Sequence, residues 1–227
     1  MPTSLSINSL HFSWSQHSDF SLDIPKWQVL SGQKVFLYGR SGEGKSTLLN
    51  LISGIHNHYT GSIEVLGQNL ALLNQMQRDN FRANNIGMIF QQFNLLPYLS
   101  GLQNILLAQG FKKSRVDAKD EQLKSICDKL ELSQQLLKQK ANQLSVGQQQ
   151  RVAVARALLG SPALIIADEP TSALDTETRE NFIQLLLDTA KSSTVIFVSH
   201  DMTLSNHFDY HVRLADLQVA DLQQSVG

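Results

Sequence analysis

The residues best suited to chemistry lie in two short segments far apart in the chain. Gly39-Arg40-Ser41-Gly42-Glu43-Gly44-Lys45-Ser46-Thr47 has the spacing G-x-x-x-x-G-K-[ST]. Its glycines let backbone N–H groups wrap around phosphate oxygens, and a helix starting there adds the positive end of its dipole. Lys45 offers a cation to the β- and γ-phosphates of a nucleoside triphosphate, and the Ser46 hydroxyl offers a ligand to Mg²⁺. A Gly-rich turn would match this spacing by accident on the order of 1% of the time in a chain of this length. The second segment, Ala163-Leu164-Ile165-Ile166-Ala167-Asp168-Glu169, is an apolar run delivering two acids at its end. Asp168 suits Mg²⁺, through water, because this hard ion keeps several waters and takes few carboxylates. Glu169 is then placed to polarise an attacking water. An isolated Asp-Glu could equally be a strand ending in a helix-capping Asp; beside a phosphate loop the hydrolytic reading is preferred. His200 ends another apolar run, Val195 to Ser199, where a strand would carry it to the γ-phosphate. His11, His17, His56, His58, His207 and His211 lack metal-ligand spacing and are left unassigned.

These groups need elements to aim them. Val35 to Tyr38 reads as a strand before the phosphate loop and Ser46 to Ile52 as a helix after it, the context the motif requires. Further strand-like runs are Leu10 to Trp14, Phe20 to Ile24, Ser62 to Val65, Ile86 to Phe90, Leu164 to Ala167 and Thr194 to Ser199, with a helix near Thr178 to Ala190. From about Leu95 to Leu159 the chain is rich in Gln, Leu and Lys at helical spacing, with Pro97 its one proline, which predicts a mostly helical insert. Cys127 falls there beside Leu123, Ile126 and Leu130 and reads as a buried small hydrophobe. Strands alternating with helices predict an α/β fold, a mostly parallel sheet with helices on both faces. Ligands then gather at the carboxyl ends of its strands.

Leu144-Ser145-Val146-Gly147-Gln148-Gln149-Gln150-Arg151, ahead of the helical run Val152 to Leu159, resembles the LSGGQ segment of ATP-binding-cassette ATPases. Physically it is a second helix N-terminus with a Ser hydroxyl and a free backbone N–H, a receptor for a γ-phosphate. Ser145 would also serve as a plain N-cap, but the segment sits about 20 residues before the Asp-Glu strand, as in the family, which favours the first reading. The resemblance covers essentially the whole chain. It implies a P-loop NTPase core, a small antiparallel β subdomain and a helical insert. That makes 1–227 one nucleotide-binding domain, with a RecA-like core at about 1–90 and 160–227 and a helical subdomain at about 95–159. It implies that Gln91 senses Mg²⁺ and the partner, though Gln92 stands beside it. It likewise implies that Ser172-Ala173-Leu174-Asp175 communicates between subunits and that His200 acts as a switch. Trp14, in Phe12-Ser13-Trp14, resembles the aromatic that stacks on adenine, a half-buried strand tryptophan being the alternative. The implied cofactors are ATP and Mg²⁺. The implied assembly is a head-to-tail homodimer, each ATP lying between the phosphate loop, Asp168 and Glu169 of one chain and Ser145, Gly147 and Gln148 of the other.

Two positions depart from the pattern. Val146 replaces the first of two glycines; Gly147 is retained, so activity is expected to survive. Glu43 stands where a small residue is common, and its charge near the nucleotide is expected to weaken binding modestly. Within the family, Gly87-Met88-Ile89-Phe90-Gln91-Gln92-Phe93-Asn94-Leu95-Leu96-Pro97, with Asn50 to Gly54 and Gly67 to Leu70, is similar to the macrolide-exporter and lipoprotein-releasing group. That likeness implies a separate integral membrane permease, docked near Gln91 to Gly110, and a peripheral place on the cytoplasmic face of the inner membrane. The output would be export or periplasmic mechanical coupling, or else a regulatory switch acting through a membrane protein on cell-wall enzymes.

The bulk numbers fit. The chain has 227 residues, 42% hydrophobic and 17% charged, with formal net charge -1, a soluble globular composition. Without a basic excess nucleic acid is not an expected partner, and the Lys112-Lys113 and Arg115 cluster reads as solvated surface. No run approaches the roughly 20 apolar residues of a spanning helix, and the first residues lack a secretory pattern. There are no sustained heptads of a chromosome-type relative and only one cassette, against two in ribosome-acting relatives. The 27 residues after His200 predict no added regulatory domain.

Overall fold

The computed structural model describes residues 2–15, 20–107, 120–172 and 174–219; His17, Ala173, the Lys112-Lys113-Arg115 cluster and residues 108–110 of the expected docking segment lie outside that set. Strands β1 (Thr3–Ser13) and β2 (Ser21–Leu30) lead to β3 (Lys34–Tyr38) and helix α1 (Lys45–Ile52). Then come β4 (Thr60–Val65), β5 (Gln68–Asn69), α2 (Gln75–Asn85) and β6 (Ile86–Ile89). The helices α3 (Gly101–Leu106), α4 (Glu121–Lys129), α5 (Gln134–Lys138) and α6 (Val146–Leu158) follow. β7 (Leu164–Asp168), α7 (Thr176–Thr189), β8 (Thr194–Val198), β9 (Tyr210–Arg213) and α8 (Leu214–Val219) close the described chain.

β1 and β2 run further than their sequence signals because the apolar alternation changes phase midway. Leu5 and Ile7 are buried, then Leu10 and Phe12; on the paired strand Trp27 and Val29, then Ile24 and Leu22. Ser9, at the change of phase, takes φ 47°, and β4 shifts register across this point. Such a bulge turns both halves of the strand toward one core. Gly61 permits the crossing: its φ is 85°, and a Cβ there would stand 2.1 Å from the Ser9 carbonyl oxygen.

The strands form two sheets. β2-β1-β4-β5 is antiparallel, and β6-β7-β8-β3-β9 is parallel at every pairing. Successive residues of the parallel strands face two different cores. Phe36, Ile165, Ala167, Val195 and Phe197 meet Val154, Leu158, Phe182 and Leu186 from α6 and α7. Val35, Leu37, Ile166, Ile196 and Val198 meet Leu48 and Ile52 of α1 and the inner face of the antiparallel sheet. Burial on both sides explains the continuous apolar runs. Helices lie on both faces as expected, and on the second face α1 shares the space with the antiparallel sheet.

Three further differences have physical causes. α2 has no fully buried residue and therefore no apolar period to read; its start is held by a capping box between Asn74 and Gln77. β9 contributes no fully buried residue, yet it adds to the parallel sheet beside β3. α6 begins at Val146 rather than Val152, since its first turns are glutamines. Cys127 is buried as expected, and burial, aided by the neighbouring Asp128 charge, pushes its thiol up to about 11.

Topology sets the stage for chemistry. β8 separates β3 from β7, and Val198 is in register with both Leu37 and Asp168. The phosphate loop and the two acids therefore leave the same end of the sheet.

Candidate nucleotide site

The loop after β3 ends in Gly44, whose φ of 103° is left-handed, and a Cβ there would lie 2.6 Å from the Phe20 ring. Gly44 is the N-cap of α1 and offers no side chain to its first turn. The first N–H groups of α1 are thus left for a ligand, at the positive end of the helix dipole. Lys45 is 6% exposed. Its Nζ donates to the Gly39 carbonyl at 3.0 Å and the Arg40 carbonyl at 2.9 Å, and lies 3.9 Å from Glu169 Oε1.

Asp168, at the end of β7, lies beside the Ser46 hydroxyl, which favours its charged carboxylate. Burial pushes its carboxyl above the usual range and the Glu169 charge adds to the rise, while Ser46 and Lys45 oppose it. A hydroxyl and a carboxylate meeting this way are hard oxygen donors and fit Mg²⁺. Among the described residues no group of three or more His, Cys, Asp or Glu could hold a metal. The remaining ligands of such an ion would be water and phosphate oxygens.

Glu169 has φ 44°, a strained setting for a residue with a side chain, and its N–H donates to the Val198 carbonyl at 3.0 Å. Its carboxylate lies between Lys45 and His200, whose Nδ1 is 3.2 Å from Oε2. A cavity of about 400 Å³ opens here, lined by Ser41, Gly42, Gly44, Lys45, Ser46 and Thr47 of the loop and by Trp14, Phe20, Gln91 and Glu169. Gln91 lines it and Gln92 does not. Trp14 is 56% exposed and makes edge contacts with Phe12 and His56, at ring separations of 5.1 and 5.0 Å, so it is no half-buried strand tryptophan. Phe20, read only as the start of a strand, and His56, left unassigned, were given no place at the site; an aromatic outside any motif gives no signal of what folds beside it. Gly39, Arg40 and Glu43 do not line the cavity. Glu43 turns back, and its Oε2 accepts the Arg40 N–H at 2.8 Å.

The signature residues are elsewhere. Ser145 is the N-cap of α6 in a reciprocal pair: Gln148 N–H donates to its Oγ at 3.3 Å, and its own N–H donates to Gln148 Oε1 at 3.0 Å. Ser145 Oγ thus already accepts from its own helix, and its O–H proton is left to donate. Gly147 lines a separate cavity of about 150 Å³ with Gln150, Arg151 and Phe182. None of Ser145, Gly147 and Gln148 lines the cavity over the phosphate loop. Asp175 caps α7, accepting from the Thr178 N–H at 3.0 Å and its hydroxyl at 2.8 Å, bonds that hold its carboxyl below the usual range.

α6 nevertheless touches both turns that serve the site. Buried Gln150 donates to the Pro170 carbonyl at 3.1 Å, one residue past Glu169. Arg156 donates to the carbonyls of Phe93 and Asn94, just beyond Gln91, from a position where burial lowers its pKa.

The family model described as ABC transporter matches residues 22–172. The lipoprotein-releasing system ATP-binding protein LolD of Zymomonas mobilis is 39% identical over 190 residues, 83% of this chain and 82% of LolD. MacB of Pseudomonas entomophila, a probable export ATP-binding/permease protein, is 34% identical over 200 residues, 88% of this chain but 30% of MacB. An ATP-binding cassette of Methanocaldococcus jannaschii, solved as a dimer in a post-hydrolysis state with ADP and Pi, has a TM-score of 0.78 at 32% identity, covering 92% of this chain and 93% of its own. The loop, the two acids and these matches together make the chain a member of the ABC transporter family, an ATP-binding cassette that hydrolyses ATP.

Proposed function

We propose that this cassette closes head to tail with a second copy of itself on ATP and drives a separate membrane permease, in export or periplasmic mechanical coupling of the macrolide or lipoprotein-release kind. One observation carries the reading. Lys45, Ser46 and Glu169 line one cavity with Asp168 beside Ser46, whereas Ser145, Gly147 and Gln148 stand apart at another helix start. One chain holds half a γ-phosphate shell, and a second copy supplies the rest. The relatives LolD and MacB, and the dimeric cassette, support the same reading.

In this reading the loop N–H groups from Ser41 to Thr47 and Lys45 bind the phosphates, and Trp14 stacks on adenine. Ser46, Asp168 and Gln91 hold Mg²⁺, which when bound neutralises charge on the β- and γ-phosphate oxygens. Glu169 accepts the proton of the attacking water, and His200 holds the Glu169 carboxylate and meets the γ-phosphate. Asp175 relays closure between subunits. Phosphoryl transfer depends on positioning and electrostatics, so completing the shell is the catalytic event. Closure on ATP and opening after hydrolysis is then a ligand-shifted equilibrium between two states.

The division into a core at about 1–90 and 160–227 and a helical subdomain at about 95–159 belongs to this reading. A groove of about 350 Å³ lined by Asp79, Arg82, Met88, Phe90, Asn94 and Arg156 lies next to Gln91 and is its docking face for the permease. Among the described residues no helix is long and apolar enough to cross a membrane. Attachment to the cytoplasmic face of the inner membrane would run through the permease. The test is to recover Glu169→Gln with ATP from gently solubilised native membranes and identify what accompanies it. A permease with a large extracytoplasmic domain is expected. A membrane protein that controls cell-wall enzymes would favour the regulatory switch, and recovery with ribosomes or DNA-bound proteins alone would overturn both.

A further inference from the structure

We infer that Glu43 is a positioning residue that aims Lys45 through a single peptide unit. The carbonyl of Gly39 and the N–H of Arg40 belong to one planar peptide and point to opposite sides of it. The carbonyl accepts from Lys45 Nζ at 3.0 Å, and the N–H donates to Glu43 Oε2 at 2.8 Å. This peptide is therefore clamped from both sides by residues of its own loop. The next carbonyl, of Arg40, takes the second Lys45 bond at 2.9 Å and the Glu43 N–H at 3.3 Å. A flipped 39–40 peptide would turn an N–H toward the ammonium and lose both clamps at once. The Glu43 bond to this N–H is charge-assisted and resists that flip.

Two observations separate this role from that of a charge beside the ligand. Lys45 lines the cavity over the loop and Glu43 does not, so the carboxylate acts from behind the loop. It fits there only because residue 39 has no side chain: a Cβ on Gly39 would stand 2.2 Å from Glu43 Oε2. The sign expected from the sequence is thereby reversed. Glu43 favours nucleotide binding, by holding the lysine and the loop ready before the ligand arrives.

The inference rests on Lys45 being the phosphate-binding cation. Its test compares ATP dissociation constants, KM and kcat of the full chain as wild type, Glu43→Ala, Glu43→Gln and Lys45→Ala, with thermal melts of each. Glu43→Ala should weaken ATP binding about 3–10-fold, the worth of one net hydrogen bond, and raise KM more than it changes kcat. Glu43→Gln, whose amide oxygen can accept the same N–H, should restore affinity to within about twofold of wild type. Glu43→Ala at wild-type affinity, while Lys45→Ala has lost binding, would overturn the clamp and leave the site reading intact. Glu43→Gln as weak as Glu43→Ala would also overturn it. Undiminished ATP binding by Lys45→Ala would instead sink the reading of the site itself.

Discussion

Two helix N-termini in this chain are candidates for the same phosphate, and they are finished differently. α1 starts at Gly44 with no capping side chain, and its first turn opens into a cavity holding a buried lysine and Glu169. α6 starts at Ser145 with both partners of its cap already bonded to each other. The first end leaves its donors for a ligand; the second ties up one of them, the Gln148 N–H, in its own cap. An unmet helix end costs free energy, so it is tolerated where a ligand visits often. A self-capped end suits a surface that meets its ligand only when two chains close. In the proposed reading, this contrast is what lets one chain bind ATP and two hydrolyse it.

The comparison can be broken at either end, beginning where the effect is largest. Glu169→Gln should lower turnover about 10²–10⁴-fold while ATP affinity is kept, since only the proton acceptor is lost. Single-turnover assays with an equilibrium binding measurement would show it, and unchanged turnover would remove Glu169 from its role. Ser145→Ala should lower turnover about 10–100-fold, the worth of a hydrogen bond to a charged group, and leave ATP binding by the single chain untouched. If it weakens binding by the single chain equally, the two ends do not belong to different steps. Val146→Gly, at a position 50% exposed in the first turn of α6, should change turnover by less than about threefold. It should lower Tm by about 1–2 °C, from the loss of helix propensity. A tenfold gain in turnover would mean that the second end is impaired by valine rather than merely self-capped.

Asp168 sharpens the contrast through stability. Its carboxyl is raised in the folded chain, chiefly by burial. That contribution is full below the unfolded carboxyl value and is lost as pH rises through the folded one. At neutral pH the ionised group therefore weighs against the nucleotide-free fold. Asp168→Asn should raise the Tm of nucleotide-free protein at pH 7 while abolishing Mg²⁺-dependent turnover, and its advantage should shrink as the pH is lowered. Melts across a pH series check both. A lower Tm at neutral pH would contradict the burial cost assigned to the Asp168 carboxylate.

Much of the first end was legible in the sequence because its parts are local. Gly39 to Thr47 is one uninterrupted motif between a strand and a helix, and Asp168 and Glu169 end one apolar run. What escaped reading depends on contacts between distant segments or on backbone geometry. Phe20 reaches the loop because β2 lies across Gly44, and His56 meets Trp14 after α1 has turned the chain. The left-handed φ of Glu169 has no signature in a residue that rarely adopts it. The change of phase at Ser9 hid half of β1, since period-two alternation fails across a bulge. α2 was missed for the opposite reason: a helix with no fully buried residue writes no apolar period.

Cys127 has a practical consequence for following the two halves of the site. It is the chain's one cysteine, it is buried, and its thiol is held near 11. Near pH 7.5 only on the order of one thiol in a few thousand is thiolate, the form that reacts with alkylating or oxidising agents. The natural chain is therefore a chemically silent background. A thiol introduced by Ser145→Cys would be the single reactive address for a spin label or fluorophore, placed at the helix end proposed to meet a second copy, and Cys127 need not be removed first.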